Sequence, residues 1–409
     1  MSAYYDLGSH RRAVSATSPD AQRWFDRGLA WTYGFHHEEA IRCFERALAA
    51  DLDCPMAHWG LAYAAGPNYN KPWEFFDPVD LAATVGKCFL ATERAVALVG
   101  KASPAERALI SALRARYQAP APPADVDDLA RWDDAYADAM RAVYRAFGED
   151  LDIAALFAEA LMTRTPWRLW DLATGEPKEG ASTIEARQVL ERALADPAGR
   201  AHPGVLHLYI HLLEMSPWPE RALQAADWLR GLVPDAGHLQ HMATHIDVLC
   251  GHYHDVVVWN RAAIAADRKF LARAGAMNFY TLYRVHNYHF AMYGAMLLGQ
   301  EEAAREAADE LRRAIPEELL RVRVPPMADW LEPFVPLGLH VLLRFGRWQE
   351  IIDTPLPDDR ELYCVTTAMT HYARGVALAA SGRVAEAGRE HALFQAALGR
   401  VPETRYFQN

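Results

Sequence analysis

Three stretches of the chain repeat one residue type at helical spacing. His207 and His211 lie four residues apart, with Glu214 three further on. His238, His241 and His245 follow at intervals of three and four, and His286 and His289 are three apart. Residues three, four and seven apart share one face of an α-helix, so each set presents its imidazoles together. Ten of the 17 histidines fall between His202 and His289, where an even scatter would place fewer than four. The sets are also in register. His207 to His241 and His211 to His245 are both 34 residues. Aligning the turn glycines Gly251 and Gly299, 48 residues apart, maps His238 onto His286, His241 onto His289 and His245 onto Tyr293.

Stacked imidazoles of this kind can hold a metal. Packed helices sit about 8–10 Å apart, and ring nitrogens bind an ion at about 2.0–2.1 Å, so histidines on adjacent helices can meet at one ion. Each histidine taken alone is better read as a packing residue. Seven in register, with Glu214 beside them, are read as a metal site. Its central set is His207, His211, His241 and His245, while His238, His286 and His289 complete it or contact a substrate. An imidazole-dominated set with one carboxylate and no thiolate suits Zn, Cu, Fe or Ni and argues against Mg or Ca. Cys250 and Met242 fall off the histidine face. Seven candidates exceed the needs of one four-coordinate ion, so a second ion or acid–base work by the remainder is expected. Glu214 is expected as base or ligand. Tyr293 is expected as a groove-facing phenol, a proton donor or a packing residue. The HExxH metalloprotease motif is absent, since HLYIH and HMATH lack the glutamate.

The elements that must carry these side chains are helical. Apolar residues recur with helical period in AIRCFERALAA and AAREAADELRRAI, alternating β-type runs are scarce, and Gly, Pro, Asp or Asn punctuate short helices. The pattern repeats. In residues 21–53, AQRWFDRGLAWTYGFHHEEAIRCFERALAADLD, Gly28, Ala40, Phe44 and Ala47 sit where small residues let two helices approach and a large one fills the gap to the next pair. CPMAHWGLAYAAG opens a second unit; HPGVLHLYIHLLEMSPWPERALQAADWLRGLVPD, GHLQHMATHIDVLCGHYHDVVVWNRAAIAAD and FYTLYRVHNYHFAMYGAMLLGQEEAAREAADELRRA read as three more hairpins. HVLLRFGRWQEII and HYARGVALAASGRVAEAGREHALFQAAL add two. This resembles the tetratricopeptide-repeat family over most of the chain, and 34 residues is that family's period. The resemblance implies an all-α array of helical hairpins wound as a right-handed solenoid. It also implies that first helices line a concave groove, which places the histidines along it. The strings FHHEEAIRCFERALAADLDCPMAHWGLAYAAGPNYN, HMATHI, RFGRWQEII and HYARGVALAASGR are similar to a bacterial tetratricopeptide-repeat group with no settled activity. That likeness implies further repeats beyond RYFQN and supplies no reaction.

Four segments are expected: N-terminal hairpins over 1–117 with an aromatic insertion at 67–78, an atypical helical segment over 118–200, the histidine-rich hairpins over 201–320, and C-terminal hairpins over 321–409. QAPAPPADV (118–126) reads as a linker. RTPWRLWDLATGEPKEGAS (164–182) and VPPMADWLEPFVP (324–336) read as loops that, with 67–78, either close over one surface or pack the ends of hairpins. In PNYN, Asn68, Tyr69 and Asn70 fit a ligand contact or simple turn chemistry. His36 and His37 are expected to be solvated in a turn, and His202, before Pro203, to cap a helix.

Several function classes find no support. A formal charge of −11 disfavours nucleic-acid binding, which needs a basic patch. No apolar run is long enough to span a bilayer, and the start lacks a secretory signal. Five scattered cysteines with no CxxC pair fit a reduced, cytoplasmic setting. No P-loop, GxGxxG, GxSxG or CxxC signature appears. The expectation is a metal-dependent enzyme acting on a small molecule in the histidine-lined groove, with dioxygen-activating oxidation slightly ahead of hydrolysis. The alternatives are a scaffold whose groove binds a peptide or protein, and a metal-storage or sensing protein.

Overall fold

A capping side chain followed by proline starts several of the helices. Ser18, Asp77 and Ser103 accept hydrogen bonds from first-turn amides, and Pro19, Pro78 and Pro104 follow them. Proline fits there because its missing N–H would have had no partner in the helix and its fixed φ suits the first turn. Ser103 and Glu106 close a full capping box. His202 behaves the same way, as its spacing suggests: its Nδ1 accepts the Val205 amide at 3.2 Å, and Pro203 opens the next helix.

The computed structural model describes residues 4–125 and 127–405. Val126, the end of the expected linker, and the last four residues of RYFQN lie outside them. Among the described residues there is no strand, and only isolated bridges such as Asn68 with Lys71 and Trp170 with Pro177 occur. The chain is all-α. It divides into two compact units, Met1–Cys250 and Gly251–Asn409, so the division falls inside the histidine-rich 201–320 segment.

The first unit is a succession of helix pairs: Pro19–Tyr33 with His37–Ala50, Pro55–Ala65 with Pro78–Ala97, Pro104–Arg116 with Asp128–Phe147, and Leu151–Thr163 with Thr183–Ala195. Pro203–Leu213, Leu223–Leu229 and Gly237–Cys250 complete it. Phe44 shows why the small residues stand where they do. Its ring is 1% exposed and fills the space left by Gly28 in its own hairpin and Gly60 in the next. A methyl group at Gly28 would come within 2.7 Å of that ring, and one at Gly60 would be closer still. The second unit pairs Tyr253–Ala274 with Thr281–Leu297, then Glu301–Ala314, and ends in the hairpin Cys364–Ala380 with Val384–Leu398. Leu339, Ile351, Ala373 and Ala377 form part of its core. No helix among the described residues is long and apolar enough to cross a membrane, and all five cysteines are free thiols.

Truncating Phe44 to Ala removes a ring that two hairpins share. It is expected to cost about 3–5 kcal/mol, read as a lower urea midpoint by circular dichroism. Gly60→Ala is expected to destabilise as well, because the added methyl overlaps the ring.

Candidate metal centre

Five of the seven sequence-expected histidines lie in the first unit, on two helices. Pro203–Leu213 carries His207 and His211, and Gly237–Cys250 carries His238, His241 and His245. His207, His211, His238 and His241 are each no more than 2% exposed. One ring nitrogen from each of His207, His211 and His238 lies within 4.8 Å of the other two. The ring centroids of His207 and His211 are 4.7 Å apart, and those of His207 and His238 are 5.0 Å apart.

Hydrogen bonds fix which nitrogen faces inward. His207 Nδ1 is 2.6 Å from the Tyr33 carbonyl oxygen, which can only accept. Nδ1 therefore carries the proton and donates it, and in the neutral ring Nε2 keeps a lone pair. His211 Nδ1 donates to Glu214 Oε1 at 2.6 Å, which again leaves Nε2 as the basic atom. Both Nε2 atoms are buried without a hydrogen-bond partner. Donation of the outer N–H to a carbonyl or carboxylate is how proteins orient a metal-binding imidazole.

Glu214 has both oxygens engaged. Its second, Oε2, accepts from His245 Nδ1 at 2.6 Å, and His245 Nε2 lies 2.8 Å from His241 Nε2. Both oxygens of the carboxylate expected as base or ligand are thus bound to imidazole N–H groups. At the C-cap of its helix the chain turns the carboxylate back behind the imidazoles instead of among their inner nitrogens. Burial alone would raise its carboxyl, but His245 and His211 more than offset that and hold it well below the ordinary carboxylate range. Burial pushes His207, His211 and His238 below the ordinary imidazole range, and the neighbouring histidines add to this for His207 and His238. Burial thus disfavours the charged form of all three, and the neutral form is the one that can bind a metal.

Aromatic rings cover the cluster. Phe35 lies 4.4 Å from the His207 ring and stacks near His211 and His238 at 5.6 and 5.9 Å. Tyr69 and Trp167 flank His211 at 5.1 and 5.6 Å and touch each other at 5.2 Å. Phe35 and Trp167 have φ of 52° and 59°, and no other described non-glycine residue is left-handed. Such a conformation costs of order 1–3 kcal/mol and persists where surrounding structure enforces it. Both strained residues border the same imidazoles. The loops that deliver them are tied down: Trp170 Nε1 donates to the Leu212 carbonyl at 2.6 Å, and the buried Arg116 guanidinium donates to the Pro67 carbonyl at 2.8 Å. The loops 67–78 and 164–182 thus meet, through Tyr69 and Trp167. Within PNYN, Asn68 and Asn70 do turn chemistry, with Asn68 Oδ1 accepting the Asn70 and Lys71 amides, while Tyr69 is the residue that reaches the cluster.

His286, His289 and Tyr293 belong to the second unit, on Thr281–Leu297. His286 lies 6.1 Å from His289, which packs against Phe334 at 5.9 Å and is lowered to about 4 by burial and by His340. Tyr293 is 44% exposed, with its ring 6.5 Å from that of His289. The expectation for His36 and His37 is corrected. His36 is 1% exposed against Trp31, and His37 Nδ1 meets the Ala64 carbonyl at 2.8 Å. The left-handed turn at Phe35 carries both inward.

A second cluster shows the contrast. His10 Nε2 and His202 Nε2 lie 3.0 and 3.1 Å from Asp152 Oδ1. His202 Nδ1 accepts an amide proton, so its own proton sits on Nε2, facing Asp152. This arrangement is a hydrogen-bond hub, with no lone pair on His202 left for an ion.

No protein-family model matches this chain, and no curated protein does. Among solved structures, a crystal structure of the P58(IPK) TPR domain at 2.5 Å matches over 92% of this chain and 93% of that one. The identity is 12% and the TM-score 0.21, so the description of the fold rests on the helices themselves.

Because burial holds His36, His207, His211 and His238 below the ordinary imidazole range, the unfolded chain binds more protons at these residues below about pH 6.5, and their contribution to stability rises with pH there. Metal-free protein is expected to lose stability from pH 7.5 to 5.5, by up to about 1.4 kcal/mol per pH unit for each such histidine. Guanidinium midpoints at the two pH values measure this, and equal midpoints would contradict it.

Proposed function

We propose that this protein binds a transition-metal ion through His207, His211 and His238 and uses it on a small molecule. The observation that carries the reading is the fixed tautomer pair. His207 and His211 each spend Nδ1–H on a built acceptor, and their bare Nε2 atoms meet in a dry enclosure. A packing role gives no reason to strip both inner nitrogens of partners, because a buried polar atom left unsatisfied costs about 1–3 kcal/mol. Three imidazoles suit Zn, Cu or Fe and leave a further position for an exogenous ligand.

Once bound, the ion would supply Lewis-acid or redox chemistry beside that open position. The chain's own groups favour oxidation over hydrolysis, since Glu214, the carboxylate beside the site, has both oxygens bound to imidazole N–H groups. Phe35, Tyr69 and Trp167 present hydrocarbon to the centre and exclude water from it.

A protein-binding scaffold is the second reading, and the helical-hairpin architecture supports it in general terms. Its specific support is the final hairpin of the second unit. There the helix Val384–Leu398 buries only Ala397, while Val384, Leu393 and Leu398 are 73, 48 and 49% exposed. That helix belongs to the second unit and carries none of the proposed metal ligands.

Elemental analysis of protein purified without a histidine tag is expected to find stoichiometric Zn, Cu or Fe. His207→Ala combined with His211→Ala should abolish it. Glu214→Gln, which keeps the shape but weakens the grip on two imidazoles, should lower metal affinity about 10–100-fold. Wild-type protein that stays metal-free after supplementation with each ion would refute the proposal.

A further inference from the structure

Residues 4–17 form an extended strap that runs across the helices of the first unit without secondary structure of its own. Carboxylates hold it along its length. The Asp6 amide donates to Asp235 at 2.7 Å, the Arg12 guanidinium to Asp150 and Asp152 at 2.7 and 3.0 Å, the Ser15 amide to Glu106 at 2.7 Å, and the Thr17 amide to Asp51 at 2.6 Å. The hub at Asp152 is the middle clasp, and it also gathers His10 and the Tyr33 hydroxyl, the latter at 2.6 Å.

Tyr33 belongs to two assemblies at once. Its hydroxyl is bound into the strap's hub, and its ring packs edge-on against His10 and His202 at 5.7 and 5.2 Å. The same ring fills the space beside Gly204, where a methyl group would come within 2.5 Å, in the first turn of the helix bearing His207 and His211. Its carbonyl is the acceptor that fixes the His207 tautomer. Two residues later, Phe35 lies on the imidazoles in a left-handed conformation. A shift of the Tyr33 ring would therefore move the acceptor behind His207 and the cover in front of it.

We infer that Tyr33 is a positioning residue for the metal centre, and that through it the N-terminal strap controls how tightly the ion is held. This rests on the metal reading above. Coupling between two binding events is reciprocal, so the ion must in turn tighten the strap.

The test uses the full chain with Co(II) as the probe. Three quantities are read: affinity by chelator competition, the visible spectrum of bound Co(II), and hydrogen exchange of the amides in residues 4–17. In the wild type, Co(II) is expected to slow exchange across the strap. Tyr33→Phe removes the hydroxyl and keeps the ring and the carbonyl; His10→Ala alters the hub from the strap side alone. Both are expected to bind Co(II) on the order of tenfold more weakly, with a changed spectrum and without the added protection, while their circular dichroism stays that of the wild type. Ser15→Ala, which removes the Ser15 hydroxyl's own hydrogen bond to Glu106 at 2.5 Å and leaves the hub intact, should keep the wild-type affinity and spectrum. If the wild type binds Co(II) and both hub variants match it in all three readouts, the coupling is overturned and the metal centre stands. Equal weakening by Ser15→Ala would also overturn it, since the effect would then be general loosening. No binding by the wild type would remove the metal reading itself.

Discussion

Burying imidazoles together is tolerable only when each gives up its positive charge and each remaining N–H finds an acceptor. A charged group taken from water into protein is strongly penalised unless paired, and several like charges in contact would compound the penalty. The first unit meets both conditions around His207 and His211. The Tyr33 carbonyl and the Glu214 carboxylate take the outer protons, and burial keeps the rings neutral. The close approach of the two histidine helices, the inward turn at Phe35 and the loop that brings Tyr69 all depend on rings that do not repel one another. Replace either acceptor with a group that donates, and the tautomers reverse, the lone pairs point outward, and the enclosure has no reason to be dry.

The helices and their hairpin pairing were legible in the sequence because apolar period and capping signals act locally. Gly28, Ala40, Phe44 and Ala47 stated the packing rule, and Phe44 obeys it between two hairpins. The histidine register was legible for the same reason, since spacings of three and four hold wherever a helix forms. What could not be read was everything set by chain crossings. Tyr33 and His207 are 174 residues apart, and a backbone carbonyl has no residue signature. Phe35 gave no warning of its left-handed backbone, because that conformation is imposed by its neighbours rather than preferred by phenylalanine. His36 and His37 looked like polar turn residues and are turned inward for that reason. Glu214 was found by spacing, yet its role turned on which side of the rings its carboxylate approaches, and spacing along a helix leaves that open.

The two histidine clusters of the first unit show how little separates a polar hub from the proposed metal centre. Both combine imidazoles with a buried carboxylate. At Asp152 the carboxylate lies at the meeting point, so the His202 proton points inward and the hub is satisfied by hydrogen bonds alone. At Glu214 the carboxylate stands behind the rings, the protons point outward, and two lone pairs are left converging. Imidazole and carboxylate are the shared ingredients. The side from which the acid approaches decides the chemistry.

The strap also has a bearing on how the protein is made. Asp6 is held by Asp235, 229 residues further along the chain, and His10 by Asp152. At a synthesis rate of about 5–20 residues per second, the interval between the appearance of Asp6 and of its partner is on the order of 10–50 s. The Asp6 end of the strap thus cannot settle until most of the first unit has been made. The Tyr33 hydroxyl waits for less time, until Asp152 has been made. Asp235 precedes His238 by three residues, so the strap's most distant partner and the last of the three imidazoles are made almost together.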